Sequence, residues 1–280
     1  MKIGCGTVLF RKYELERCLA AIREIGYEYF ETQATVPWCP HVDVTKDDPE
    51  ALVKLKNKYG FREITGLWSC AGNLMRSENC VERNIRCIEW AAAAGIPVLH
   101  LGDGHKPDEM SEEDAFARLS ENLCAILEAG EKHGVTVAIE PHGTFSLTKA
   151  GLCRILSVGT PKTLGVNYDA CNIFRSAYVE SGSASSGWHV AKGKEDELEV
   201  LQAVTDRVVH CHAKDINSQG KCVALGEGLV NVKGCIKHLI ASGYQGVVSV
   251  ETEGDDDFES AVALAKKSYD YLQALVKGEA

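Results

Sequence analysis

Four side chains able to hold a metal or move a proton stand at the ends of four apolar stretches in the second half of this 280-residue chain. Glu140 closes Ala138-Ile139-Glu140, Asp169 closes Asn167-Tyr168-Asp169, His212 closes His210-Cys211-His212, and Glu251 closes Ser249-Val250-Glu251. A strand points alternate side chains to opposite faces, so these four can share one face at one level. Three carboxylates gathered that closely repel one another unless positive charge sits among them. A divalent metal ion supplies it, and three hard oxygens with one imidazole suit manganese first, then magnesium, cobalt, iron or zinc. Any one of the four alone reads as a hydrogen-bonded polar residue at a rim; all four in register point to a cation.

Neighbouring residues extend the pattern. Asn167 and His210 lie two positions before a candidate ligand and share its face, where polar groups can orient the ligands. His210 taken alone also reads as a satisfied core histidine. His142 follows Glu140 by two and is expected to reach the substrate space. Lys214 and Asp215 follow His212, and spacing leaves open whether they pair with each other at the rim or bind substrate oxygens.

The elements that must position these residues alternate through the whole chain. Short β-branched runs at 2–6, 27–32, 63–68, 97–101, 135–140, 164–169, 207–212 and 247–251 are separated by amphipathic stretches. Leu15, Leu19, Ile22 and Ile25 mark one face of the first helix, which stops at Gly26; 82–94 and 257–276 form two others. Eight such units predict one (β/α)8 TIM barrel over 1–280. A doubly wound open sheet is the alternative, but Gly4-Cys5-Gly6-Thr7 is not the phosphate loop it needs. After Asn172 a Ser/Gly-rich run at 181–187, followed by Trp188 and His189, reads as a lid over the barrel mouth or as a plain surface insertion.

Composition excludes several classes. Hydrophobic residues make up 45% of the chain and charged ones 25%, the balance of a soluble globular protein. Forty acidic against thirty basic residues leave a net charge of −10 and no basic stripe, so no nucleic-acid partner is expected. No apolar run reaches membrane-spanning length, and the first residues read as a strand rather than a targeting signal. Twelve cysteines without a C-x-x-C pair read as reduced thiols packed in a cytoplasmic protein.

With these residues in order, the chain resembles the sugar isomerase/epimerase family with a xylose-isomerase-like barrel. The resemblance runs through Ile139-Glu140-Pro141-His142-Gly143, Asn167 to Asn172, His210 to Asp215, Leu225-Gly226-Glu227-Gly228 and Val250-Glu251. It implies one divalent metal on Glu140, Asp169, His212 and Glu251, with Glu140 and Glu251 also acting as acid and base. The implied reaction is isomerisation or epimerisation of a keto sugar or keto-inositol, by α-proton abstraction through a metal-stabilised enediolate. A lyase or dehydratase on a related polyol is the alternative, and a non-catalytic sugar-binding barrel a further one. Ketose 3-epimerases of the family carry a substrate-binding His where this chain has Asn172, and an Arg where it has Ser218. Abasic-site endonucleases of the family use extra His and Glu ligands and a basic face; this acidic chain shows one clear four-ligand set. Asn172, Lys214, Trp68, His105 and His142 are the candidate substrate contacts, with Trp38 and Trp188 as further aromatic residues. The expected partner is a small unphosphorylated carbohydrate or polyol, and a homo-oligomer fits barrels of this kind.

Overall fold

The computed structural model describes residues 1–76, 78–178, 195–254 and 256–279. Eight parallel strands close into a barrel: β1 (Lys2–Gly6), β2 (Tyr29–Gln33), β3 (Glu63–Trp68), β4 (Val98–Leu101), β5 (Thr136–Ile139), β6 (Leu164–Asp169), β7 (Val208–Ala213) and, after a short arm, β10 (Val247–Val250) beside β1. Helices α1 (Leu15–Ile25), α2 (Pro49–Tyr59), α3 (Cys80–Ala93), α4 (Glu112–His133), α5 (Lys149–Leu156), α6 (Ala170–Tyr178), α7 (Glu197–Val204), α8 (Val232–Ala241) and α9 (Phe258–Lys277) connect them. Local chemistry sets many of the ends. Asp48, Ser111, Asp196 and Asp257 cap helix N-termini by accepting backbone N–H bonds, and Gly26 ends α1 with a φ of 119° that favours glycine. Among the described residues no helix is long and apolar enough to cross a membrane.

Outward-facing strand residues such as Val166, Tyr168, Val248 and Val250 pack under the helices in one continuous apolar layer. The inward face is different in character. Asp169 pairs in register with His212, which pairs with Ser249; one step deeper Asn167 pairs with His210. Polar side chains therefore stack in levels inside the barrel, and inward glycines leave them room. A Cβ on Gly66 of β3 would overlap the ring of His100 on β4, and one on Gly6 would crowd Glu31.

Two features depart from the sequence reading. Helix α6 starts at once after β6, because Asp169 Oδ1 accepts the Asn172 N–H at 3.1 Å and makes the strand's last residue the helix cap. A two-stranded antiparallel arm, β8 (Asp215–Ile216) with β9 (Cys222–Val223), rises after β7. Asp215 anchors it by accepting N–H bonds from Gly226, Gly228 and Val230, each at 3.0 Å, and so faces neither Lys214 nor a substrate. The run at 181–187 with Trp188 and His189 lies outside the described residues.

Gly66→Ala is expected to cost on the order of 1–3 kcal/mol, because the added methyl must displace a fully buried imidazole. A lower urea midpoint with an unchanged slope would be the signature.

Candidate functional site

Glu140 lies one residue past β5, Asp169 ends β6, His212 lies on β7, and Glu251 lies one residue past β10. One ligand atom from each falls within 4.8 Å of the others, and all four residues are buried. His212 Nδ1 is 2.9 Å from Glu140 Oε2 and 3.6 Å from Glu251 Oε2. Lys214 reaches the same space: its Nζ is 3.0 Å from Asp169 Oδ2 and 2.6 Å from Glu251 Oε2. Neither of those two carboxylate oxygens accepts an aligned hydrogen bond. The donor set of three carboxylates and one imidazole, converging on one buried space, fits a divalent metal.

Amide side chains hold the carboxylates in place. Asn167 Nδ2 donates to Glu140 Oε2 at 2.7 Å, Asn172 Nδ2 donates to Glu140 Oε1 at 2.8 Å, and Gln33 Nε2 donates to Glu251 Oε1 at 3.2 Å. Burial pushes the Glu140 carboxyl up to about 8, with Glu251 and Asp169 adding repulsion that His212 only partly offsets. Burial also raises Glu251, against the pull of Lys214 and His212. For His212 burial opposes the charged form, but Glu31, Glu140 and Glu251 together lift it well above its ordinary value.

The candidate substrate contacts fall in different places. Trp68 and His142 are half-buried neighbours at the mouth, their rings 5.7 Å apart and inclined at 59°. His142 is carried on a loop pinned by Asp103, which accepts the Phe145 N–H at 2.7 Å and the Ser146 hydroxyl at 2.5 Å. His105 is half-buried and its carbonyl accepts from Arg76 Nε at 3.2 Å. Asn172 is fully buried with its amide nitrogen committed to Glu140, and Lys214 is committed to Asp169 and Glu251. Trp38 is 45% exposed beneath the Arg11 guanidinium, 4.7 Å from the ring centroid.

Beneath this set lies another. Glu31, His100, His210 and His212 also bring one ligand atom each within 4.8 Å of one another, where the sequence reading counted a single four-ligand set. Glu31 stands in Phe30-Glu31-Thr32 and His100 in Leu99-His100-Leu101, ionisable residues inside apolar strands. The same signal was legible in the first half of the chain; only the barrel's closure puts β2 and β4 opposite β7.

Residues 19–275 match the family described as xylose isomerase-like TIM barrel. An inosose dehydratase of Lactiplantibacillus plantarum is 27% identical over 165 residues, 52% of this chain and 49% of that one, so the chain spans about half of that relative. An L-ribulose-5-phosphate 3-epimerase of Salmonella heidelberg is 24% identical over 266 residues, 91% of this chain and 88% of its own. The crystal structure of a D-tagatose 3-epimerase-like protein superposes with a TM-score of 0.77 at 20% identity, covering 100% of this chain and 99% of the other, and so shares the fold.

Not all twelve cysteines are packed as the sequence suggested: Cys124 and Cys153 are exposed on the helices, and Cys70 is set apart by its surroundings. Cys70, just past β3, is half-buried with its Sγ 3.5 Å from Cys87 Sγ. A hydrogen bond from the Cys87 thiol, helped against burial by Arg83, holds Cys70 down to about 6. Its thiolate should therefore dominate at pH 7.5 and be lost as the pH falls below about 6. Iodoacetamide labelling followed by peptide mass spectrometry should find Cys70 alkylated several-fold faster than buried cysteines such as Cys171, with the advantage gone at pH 5 and reduced in Cys87→Ala.

Proposed function

The chain belongs to the xylose isomerase-like TIM barrel family, and on that premise we propose that it is a divalent-metal-dependent isomerase or epimerase of a keto sugar or keto-inositol. The observation that carries this reading is the convergence of Glu140, Asp169, His212 and Glu251 at one end of the barrel, their ligand atoms within 4.8 Å. A divalent cation held there, manganese being the first choice, supplies Lewis acidity that polarises a carbonyl and steadies the charge left when an α-proton departs.

The chain's own residues divide the remaining work. Glu251, fixed by Gln33 and Lys214, takes the α-proton from one face of the substrate. Glu140, fixed by Asn167 and Asn172, stands across the site as the proton carrier for the other face. Return of the proton to the same carbon epimerises; return to the neighbouring carbon isomerises. Lys214 brings positive charge beside two of the carboxylates, and Trp68 and His142 offer a surface for the sugar's C–H face.

Two neighbouring basic groups support an unphosphorylated substrate. Arg76 donates to the carbonyls of His105 and Lys106, and Lys106 Nζ to those of Pro107 and Met110, so both are engaged by backbone. Dehydration by loss of a β-hydroxyl after the same proton abstraction is the second reading, favoured by the similarity to an inosose dehydratase; product analysis separates the two. The twelve free cysteines support a reducing, cytoplasmic setting.

Metal-free protein reloaded with manganese should bind it at this site, and Asp169→Ala should lose that equivalent in elemental analysis. Glu251→Gln should reduce exchange of the substrate's α-proton with deuterated water by 10²-fold or more while the thermal transition persists. Full exchange in Glu251→Gln removes Glu251 as the base. A wild type that binds keto sugars without any exchange would instead indicate a binding barrel.

A further inference from the structure

Below the four residues at the mouth, the barrel interior closes around Glu31 from β2, His100 from β4 and His210 from β7, all buried to 4% exposure or less. Glu31 Oε2 lies 3.4 Å from His100 Nδ1 and 3.5 Å from His210 Nε2. Donor atoms around a tetrahedral ion with bonds of about 2.0–2.1 Å stand roughly 3.3–3.4 Å apart, so these spacings are those of ligands sharing an ion.

The hydrogen-bond pattern decides which lone pairs face inward. Asn167 Nδ2 donates to Glu140 Oε2 at 2.7 Å, which turns Asn167 Oδ1 toward His210 as an acceptor. His210 Nδ1, 2.9 Å from that oxygen, must then carry the ring proton. In the neutral ring Nε2 is left as a bare lone pair toward Glu31, with the Thr65 hydroxyl 3.4 Å away and itself within 3.2 Å of the Phe30 carbonyl. His100 Nδ1 lies beside the same carboxylate oxygen, and its one lone pair serves either the Asn167 amide 3.3 Å away or an ion. Two imidazole nitrogens and a carboxylate oxygen thus converge in one buried space, a set of donor atoms that a single ion can bridge.

We infer that Glu31, His100 and His210 form a second, deeper metal site, taking a zinc-class transition-metal ion through two imidazoles and one carboxylate. This donor set is softer than the three-carboxylate set above it, which separates the ions the two sites prefer. His212 joins them. Its Nδ1 faces Glu140 and Glu251, while its Nε2 lies 3.1 Å from both Glu31 oxygens and is hydrogen-bonded to Oε2. When Nδ1 is spent on an ion above, Nε2–H donates to Glu31 and orients the deeper ligand. The inference shares His212 and Asn167 with the proposed active site but stands on different ligands, and either site can fail without the other.

The test strips the full chain with a chelator, reloads it with Zn²⁺ or Co²⁺, and counts metal by elemental analysis after desalting. Wild type should hold two equivalents, falling to one in Glu31→Gln and in His100→Gln, and to one also in Asp169→Ala. The Co²⁺-loaded protein should show strong visible bands of a tetrahedral site that persist in Asp169→Ala and vanish in Glu31→Gln. Anomalous scattering at the zinc edge from wild-type crystals reads the same position even where a variant fails to fold. One equivalent in wild type, retained in both Glu31→Gln and His100→Gln, overturns the deeper site. So does a second equivalent that survives both variants, which would be adventitious. Loss of no metal in Asp169→Ala would sink the upper site alone.

Discussion

Glu31, Glu140, Asp169 and Glu251 are carboxylates with almost no access to water, crowded into one barrel interior. Transferring such a group out of water costs several kcal/mol even after relaxation, and proximity of like charge adds to it. Each oxygen must therefore meet a donor or a positive charge, and the surrounding residue choices follow from that requirement. His212 faces three of the carboxylates, Lys214 faces two, and the amides of Asn167, Asn172 and Gln33 take up most of the remaining oxygens. The oxygens of Asp169 and Glu251 that meet the Lys214 ammonium border the space where the proposed cation belongs.

An interior given to polar groups contributes little hydrophobic stabilisation of its own. The barrel is held instead by the layer between strands and helices, where residues such as Leu19, Ile88, Leu119 and Leu272 are fully buried. This division of labour permits the inner face to carry strained electrostatics. It also explains the inward glycines: Gly6 and Gly66 give up side chains so that Glu31 and His100 can fit at a level where eight side chains would not.

Asn167 links the upper and lower levels. Its amide nitrogen donates to Glu140 above, its oxygen accepts from His210 Nδ1 below, and the two bonds together turn Nε2 of His210 toward Glu31. Ring orientation at depth is thus tied to the position of a carboxylate at the mouth. His212 repeats the connection with its two nitrogens turned to different carboxylates.

Much of this was legible in the linear chain. The alternation of β-branched runs and amphipathic stretches specifies eight strands and the helices between them, because each period belongs to one backbone geometry and the apolar face must be buried. The ends of β5, β6, β7 and β10 announced Glu140, Asp169, His212 and Glu251 because an ionisable residue terminating an apolar strand has few bland explanations, and four in succession fewer still. Partnerships across the barrel were decided only by tertiary structure. Whether Lys214 pairs with Asp215 or with Asp169 and Glu251 depends on the direction of a side chain after a strand end, and the arm anchored by Asp215 settled it. That Glu31 and His100 meet His210 depends on closure, which brings residues 179 positions apart within 3.5 Å, a separation along the chain that no local period encodes.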